Sequence, residues 1–356
     1  KIISLDDHKI SSNFSKKKDE LKDFNKKDIY SIKLSKRIDE PIDIINRSSD
    51  ILKKLSKIFV KEKFELIILL GDRYEILISA YTSILHKVPI VHISGGDETI
   101  GSYDNNFRHA ISKFANFHFV TNKDSKKRLI MMGERKNSIF NYGSLSVEKI
   151  KMTKKKGKRL DFEKEFNIKF REKNFIVTYH PETTSDEIDK KFNLIIKSLS
   201  KFKKYLFIFT SPNNDQGSNK IKKIILKNIK ENRNFIYIPS FGQKKYFEIL
   251  NIVDGVIGNS SSGVHEVPSF KIGTVNIGSR QDGRIKIKSV INVNYSQKKI
   301  RKAVLKIISK DFKKNIYKVS NPYYKKNTTK KILNKIKQIL KNKINTQKKF
   351  YEQKIY

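Results

Sequence analysis

Short apolar runs recur along the chain, each followed by a stretch in which apolar and polar positions alternate with helical spacing. Residues 66–70, 89–93, 117–121, 175–179, 205–210, 235–239, 255–258 and 273–277 are too short for buried helices and rich in β-branched and aromatic side chains. Strands that alternate with helices predict parallel sheets, because the crossover between parallel strands needs a covering helix. In such sheets ligands sit beyond the carboxyl ends of the strands, so the residue after each run is where chemistry is to be sought. One lysine-rich segment, 151–173, carries no apolar strand, divides the strands into two sets and reads as an interdomain connection. The expected organisation is an α/β domain over 1–165, a second over 166–335, and a C-terminal helix over 336–356 that packs back across them. No internal repeat is visible.

Composition narrows this picture. A chain of 356 residues exceeds one ordinary core, which supports two domains. No window approaches the roughly 20 uninterrupted apolar residues of a membrane-spanning helix, and a cytoplasmic location is the expectation. With no cysteine, disulfides, thiolate zinc sites and a cysteine nucleophile are excluded. The net charge of +41 invites nucleic acid as a partner. Its distribution argues against one: the lysines of 16–18, 154–156 and 337–348 are spread over linkers and helical faces, as solvated positions are. Of the 77 basic residues only 12 are arginine, and Arg73, Arg108, Arg280 and Arg284 fall in motifs. Where lysine is the default cation, a retained arginine points to a need for its planar, bidentate fork.

Four segments carry candidate chemistry. In Gly71-Asp72-Arg73-Tyr74-Glu75 a strand ends in a carboxylate beside a helix start; alone, Asp72 reads more readily as an N-cap. His92-Ile93-Ser94-Gly95-Gly96-Asp97-Glu98-Thr99, with Asp104, Arg108 and His109 following, crowds carboxylates into one loop. Crowding separates carboxyl pKa values, which general acid–base chemistry requires. The spacing lacks both the alternating oxygens of a calcium loop and a His pair at helical spacing, so no metal is expected. Thr178-Tyr179-His180-Pro181 stops a strand at a histidine that can donate to a phosphate or act as an acid. Gly258-Asn259-Ser260-Ser261-Ser262-Gly263-Val264-His265-Glu266-Val267-Pro268 opens a helix with small residues, a receptor for a diphosphate, and Arg280 and Arg284 follow the next strand.

Taken in order, these segments, together with Ala110-Ile111-Ser112-Lys113, Gly133-Glu134, Gly143-Ser144 and Asn276 to Arg284, resemble the hydrolysing UDP-N-acetylglucosamine 2-epimerases over residues 6–284. No single segment is distinctive; the ordered set is. The resemblance implies two Rossmann-like domains facing a central cleft, the GT-B type, with the nucleotide held mainly by the C-terminal domain. It implies loss of the C2 proton and elimination of UDP to a 2-acetamidoglycal, then addition of water at C1 while a proton returns to C2 from the opposite face. Asp72, Asp97 and Asp104 become the acid–base candidates. His180, Ser261, Ser262 and Gly263 would contact the diphosphate, Glu266 the ribose and Phe241 the uracil. Arg73, Arg108, His109, Asn259, Ser260, Arg280 and Arg284 complete the substrate-binding set, the last two in support. A UDP-sugar substrate, no metal or redox cofactor, no nucleic acid or membrane partner, and a homo-oligomer, dimer or tetramer, are expected. Free N-acetylmannosamine or its 2,4-diacetamido analogue would feed nonulosonic acid synthesis. The alternatives are a non-hydrolysing epimerase and a truncated, non-catalytic UDP-sugar-binding protein.

Two departures matter. The family opens with a strand ending in Gly-Thr-Arg, whereas Lys1-Ile2-Ile3-Ser4-Leu5-Asp6-Asp7-His8 resembles its second strand and the following histidine loop. The first βα unit is therefore expected to be missing, leaving an exposed sheet edge and an incomplete pocket. Asp97 stands where the family more often carries Glu, a loss of roughly 1 Å of reach that neighbouring Glu98 could offset.

Overall fold

The computed structural model describes residues 1–6, 24–34, 40–152, 157–182, 187–213 and 216–352. The chain begins with β1 (Ile2–Asp6) and β2 (Ile29–Lys33), a parallel pair, and then α1 (Pro41–Lys61). Next come β3 (Ile67–Leu70), α2 (Tyr74–Leu85), β4 (Ile90–Ile93), α3 (Asp104–Phe114), β5 (Phe117–Val120), α4 (Lys123–Met131), β6 (Ile139–Asn141) and α5 (Leu145–Met152). The second half runs α6 (Arg159–Phe166), β7 (Lys173–Thr178), α7 (Ile188–Leu199), β8 (Tyr205–Phe209), α8 (Ser218–Glu231), β9 (Phe235–Tyr237), α9 (Gly242–Ile249) and β10 (Gly255–Gly258). It closes with α10 (Ser261–His265), β11 (Gly273–Ile277), β12 (Val290–Val293), α11 (Gln297–Ile308), α12 (Lys310–Tyr317) and α13 (Thr328–Leu340).

Every apolar run named from the sequence forms a strand, and all recorded pairings are parallel. The pattern did not reveal β2, β6 and β12. Each lies at the edge of its sheet and is short or half-solvated, so it lacks the continuous apolar run of a strand buried on both faces.

The larger sheet has the order β12-β11-β10-β7-β8-β9. Successive residues of its central strands enter opposite cores, as the two-residue period of a strand requires. Phe175, Val177, Phe207, Phe209 and Ile257 meet α7, α8, α11 and α12 on one face. Ile176, Leu206, Ile208 and Val256 meet Phe162, Phe241 and Phe247 on the other. Burying both faces is what makes these strands read as unbroken apolar runs. Phe162 of α6 stacks on Phe166, so the helix straddling residue 165 packs with this second sheet. The chain reverses its direction of travel across the sheet between β7 and β10, which opens a crevice at their carboxyl ends.

The smaller sheet, β3-β4-β5-β6, buries Leu69 and Ile90 against α2 and α3, and Val91, Ile93 and Phe119 against α13. Ile332, Ile336 and Ile339 lie on one stripe of α13, so this helix covers the face of a sheet that formed some 200 residues earlier. It begins at Thr328, where Glu148 accepts from the Thr328 and Thr329 amides at 2.7 and 2.8 Å. The chain from 343 to 352 is not helical, and its Lys348 is paired with buried Glu134. β1 and β2 form a separate pair, although Ile3 and Leu5 share a cluster with Ile67 of β3. β3 is thus an edge strand, with Ile68 and Leu70 49% and 60% exposed. The histidine loop expected at residues 7–8 lies outside the described residues. Among those described, no helix is long and apolar enough to cross a membrane.

Candidate active site

The carboxyl ends of the two sheets face each other across a cavity of about 220 Å³. Asp72, Arg73, Thr99 and Asp104 line it from the first sheet; His180, Asn213, Ser261, Arg280 and Arg284 line it from the second. Residues more than 200 positions apart converge here because each follows a strand or begins a helix at the same edge of its sheet.

On the first wall, Gly71 leaves β3 with φ of 92°, and Asp72 follows it. Its Oδ2 accepts from Nη2 of Arg108, a buried arginine of α3 that also donates to the Asp97 carbonyl at 2.8 Å and to Thr99 Oγ1 at 2.9 Å. Arg108 is thereby spent on the loop itself: it orients Asp72 rather than reaching a ligand. Asp104 begins α3, and its Oδ2 lies 3.8 Å from Arg280 Nη2 on the opposite wall. Behind Asp72 sits His92, fully buried between the Gly71 carbonyl at 2.8 Å and the Ser112 hydroxyl at 3.1 Å. Burial lowers its pKa to about 4 and keeps it neutral.

Asp97 is placed differently from the expectation of an acid or base facing the cleft. Gly96 ahead of it has φ of 76° and no room for a side chain against the Ser125 carbonyl, so the loop turns tightly inward. The carboxylate is 5% exposed; it accepts from Asn122 Nδ2 at 3.0 Å, from the Ser125 hydroxyl and from Arg284. Burial opposes its charge, but Arg284 and these donors outweigh burial and hold the carboxyl below its ordinary range. Its oxygens are occupied, and it serves as the buried counter-ion of an arginine from the other wall. Glu98 is occupied as well, by His109 at 3.1 Å and Arg128 at 3.0 Å, so His109 stands outside the cavity.

On the second wall, the crevice between β7 and β10 is as narrow as backbone allows. Gly258 has φ of 130°, and a Cβ there would fall inside the Thr178 carbonyl oxygen. The next side chain, Asn259, is fully buried; its Oδ1 accepts from the His180 amide at 2.7 Å and its Nδ2 donates to the His180 carbonyl at 2.8 Å. Asn259 therefore fixes the histidine rather than touching a ligand. His180 Nδ1 accepts from the Asn213 amide at 3.0 Å, which assigns the ring proton to Nε2. Burial, reinforced by the positive charge of Arg280, lowers its pKa to about 3, so the ring is a neutral donor near pH 7.

Of the serine turn, Ser260 is the N-cap of α10 and Ser261 reaches the cavity. Ser262 pairs with the Tyr246 hydroxyl at 2.8 Å, and the Gly263 amide closes the turn onto the Ser260 carbonyl at 3.0 Å. These two shape the turn. Glu266 accepts from Ser146 Oγ at 2.9 Å, a contact between the two halves of the chain. Phe241 is 2% exposed, with its ring 5.0 Å from Phe166 in the hydrophobic core, and presents no face to a base. Two cavity residues went unnamed as site residues, Thr99 and Asn213. Asn213 follows β8, so the rule of strand ends applied to every strand reveals it; Thr99 lies in the loop already singled out for its carboxylates.

A family model described as UDP-N-acetylglucosamine 2-epimerase matches residues 11–337. The Escherichia coli polysialic acid biosynthesis protein P7 is 34% identical over 314 residues, 87% of this chain and 79% of that protein. A Campylobacter jejuni GDP/UDP-N,N'-diacetylbacillosamine 2-epimerase (hydrolyzing) is 34% identical over 279 residues, 78% of this chain and 72% of its own. Among solved structures, an S. aureus MnaA–UDP co-structure superposes with a TM-score of 0.72 at 14% identity, covering 94% of each chain. The Neisseria meningitidis UDP-GlcNAc 2-epimerase bound to UDP-GlcNAc does so with 0.69 at 18% identity, covering 91% of this chain and 94% of that one.

Proposed function

The chain belongs to the UDP-N-acetylglucosamine 2-epimerase family, and from that premise we propose how its cavity works: a hydrolysing 2-epimerase that converts a UDP-2-acetamido sugar and water into UDP and the free C2 epimer. One observation carries the assignment of roles. Two carboxylates, Asp72 and Asp104, face a neutral histidine, a serine and two arginines across a single cavity.

Asp72 and Asp104 are the acid–base pair. One takes the C2 proton as the C1–oxygen bond to UDP breaks, which leaves the glycal. Water then adds its hydroxyl at C1 while the other carboxyl, in its protonated form, passes a proton to the opposite face of C2 and recovers one from that water; the first carboxyl returns the C2 proton to solvent. Carboxylates on one wall suit this step because proton transfer requires contact, whereas the leaving diphosphate requires donors and positive charge. The second wall supplies those: Nε2–H of His180, the Ser261 hydroxyl and the guanidinium groups of Arg280 and Arg284, with Arg73 across from them. A histidine whose pKa lies near 3 donates without taking the charge that would trap the product. Asp97 and Arg108 act at one remove, holding Arg284 and Asp72 respectively. In this reading Glu266, which directly follows α10, is the ribose partner.

A nucleotide-sugar substrate supports a cytoplasmic location. Val60, Tyr81, Ile84 and Leu85 give α1 and α2 an exposed apolar face suited to self-association, which sedimentation measures directly. The function itself is tested by incubating the protein in heavy water with UDP-N-acetylglucosamine and, separately, with UDP-N,N'-diacetylbacillosamine. Free UDP together with a C2-inverted sugar carrying deuterium at C2 is expected from one of them. A UDP-linked epimer as the end product would assign a non-hydrolysing isomerase, and UDP binding without turnover on either sugar would assign a binding protein.

A further inference from the structure

Behind the cavity runs a buried column of side chains that the chemistry does not consume. Arg284 donates to Asp97 and, at 3.1 Å, to Thr99 Oγ1 on the first wall. On its other side it adjoins Tyr323, which is 1% exposed and belongs to the stretch by which the chain returns toward α13. The Tyr323 ring meets the His265 ring edge-on with centroids 4.2 Å apart. His265 is the last residue of α10, the helix that begins at the cavity serine.

The backbone of this return stretch is pinned to both halves. The Tyr323 carbonyl accepts from the Ser144 amide at 2.8 Å, while Asn321 Nδ2 donates to the His265 carbonyl at 2.8 Å. Arg284 Nε and His265 Nε2 are buried without a hydrogen bond of ordinary geometry among the described residues, and the Tyr323 hydroxyl, likewise without one, lies beside the Arg284 guanidinium and the Ile285 backbone. Three such atoms in adjacent side chains cost stability rather than adding to it, since a buried polar group stabilises only when paired. Their arrangement is better matched to alignment. The column is a packed route from the end of the helix that the serine turn opens to the loop that carries Asp97.

We propose that Tyr323 and His265 are positioning residues: acting through Arg284, they set the register between the serine turn that receives the diphosphate and the loop that presents the carboxylates. Neither touches substrate. The claim rests on the epimerase chemistry proposed above and adds to it the residues that align the two walls. An error of alignment raises the barrier to elimination more than it weakens nucleotide binding, because most of the groups given to the nucleotide stand on the second wall.

Tyr323→Phe keeps the ring on His265 and removes only an unpaired buried hydroxyl, so the variant is expected to fold with a melting temperature no lower than that of the wild type. Its kcat is expected to fall about 10-fold while the calorimetric Kd for UDP stays within about twofold. Arg284→Lys is expected to lower kcat further, and the double variant Tyr323→Phe/Arg284→Lys to be no slower than Arg284→Lys alone, because both changes break one chain of contacts. A Tyr323→Phe enzyme with wild-type kcat, or losses that multiply in the double variant, would overturn the alignment role while leaving the epimerase assignment standing. A wild-type protein inactive on both sugars would overturn the two together. His265→Asn separates packing from alignment: a fall in kcat at constant UDP affinity supports the column, and parallel losses of UDP affinity and melting temperature mark His265 as structural.

Discussion

The two walls of the cavity are built by different means. The first presents charge: Asp72 and Asp104 are poised by arginines, and a third carboxylate is sunk beneath them as a counter-ion. The second presents shape and neutral donors: a glycine that lets two strands close up, an asparagine that clamps a histidine backbone, and small serines that bring a helix start to the surface. Removing a charge from the first wall should therefore abolish chemistry and spare the fold. Adding atoms to the second should damage the fold first. Chemistry that moves protons and chemistry that releases a diphosphate place opposite demands on a protein surface, and each sheet edge meets one of them.

The sharpest way to break this contrast is at the carboxylates. Asp72→Asn and Asp104→Asn are each expected to lower kcat by about 100-fold or more, within the range for a lost acid or base. UDP affinity by calorimetry and the melting temperature should stay close to wild type. Equal losses of affinity and rate in either variant would mean that the first wall binds rather than reacts. Gly258→Ala tests the other wall, since its added Cβ meets the Thr178 backbone and its φ of 130° is strained for any other residue. A loss of about 2–3 kcal/mol in denaturant unfolding is expected, the scale of overpacking combined with backbone strain. A variant as stable as wild type would show that β7 and β10 can move apart.

Acid acts on both walls through buried histidines. His180 and His92 are held neutral with pKa values near 3 and 4, depressed mainly by burial. An unfolded histidine titrates near 6.5, so between that value and the folded one the unfolded state binds the extra proton. Their contribution is fully present above about pH 6.5 and is lost as the pH falls toward 4. At pH 5 each is expected to cost about 2 kcal/mol relative to pH 7. Urea midpoints measured from pH 7 to 5 should decline accordingly, and His92→Asn should flatten the decline. A flat profile in the wild type would mean that the rings are hydrated and that the site is open.

The sequence spoke unevenly about these regions. Central strands were legible because both of their faces are buried, and the cavity residues were legible wherever a strand end carried an unusual side chain, as at Asp72, His180 and Arg280. Edge strands such as β12 carry too little apolar signal. A motif shows which residues sit together in a loop and not which way each one points: Asp97, Arg108 and Asn259 lie in the right segments, yet they face inward and hold their neighbours. The aromatic core that swallows Phe241 draws on Phe162 and Phe166, about 80 positions earlier, and no local pattern announces that contact. The return of α13 to the first sheet rests on three isoleucines whose stripe is visible in the chain but whose partner strands are not.

Asp97 offers the finest test of the contrast, because the sequence places it with the reacting carboxylates and its surroundings place it behind them. Asparagine has the same shape but a single acceptor oxygen, so Asp97→Asn can keep the hydrogen bonds from Asn122 and Ser125 while it loses both the acceptor and the charge that hold Arg284. If Asp97 only holds Arg284, kcat should fall about 10-fold, the scale of one weakened charge-assisted hydrogen bond, and the pH dependence of kcat should keep its shape. If it moves a proton itself, the loss should match those of Asp72→Asn and Asp104→Asn, and a limb of the pH profile should vanish. The burial of both of its oxygens, and an arginine from the opposite wall on one of them, favour the smaller effect. Side-by-side kinetics of the three variants thus measure how far the proton-handling surface of the first wall extends inward.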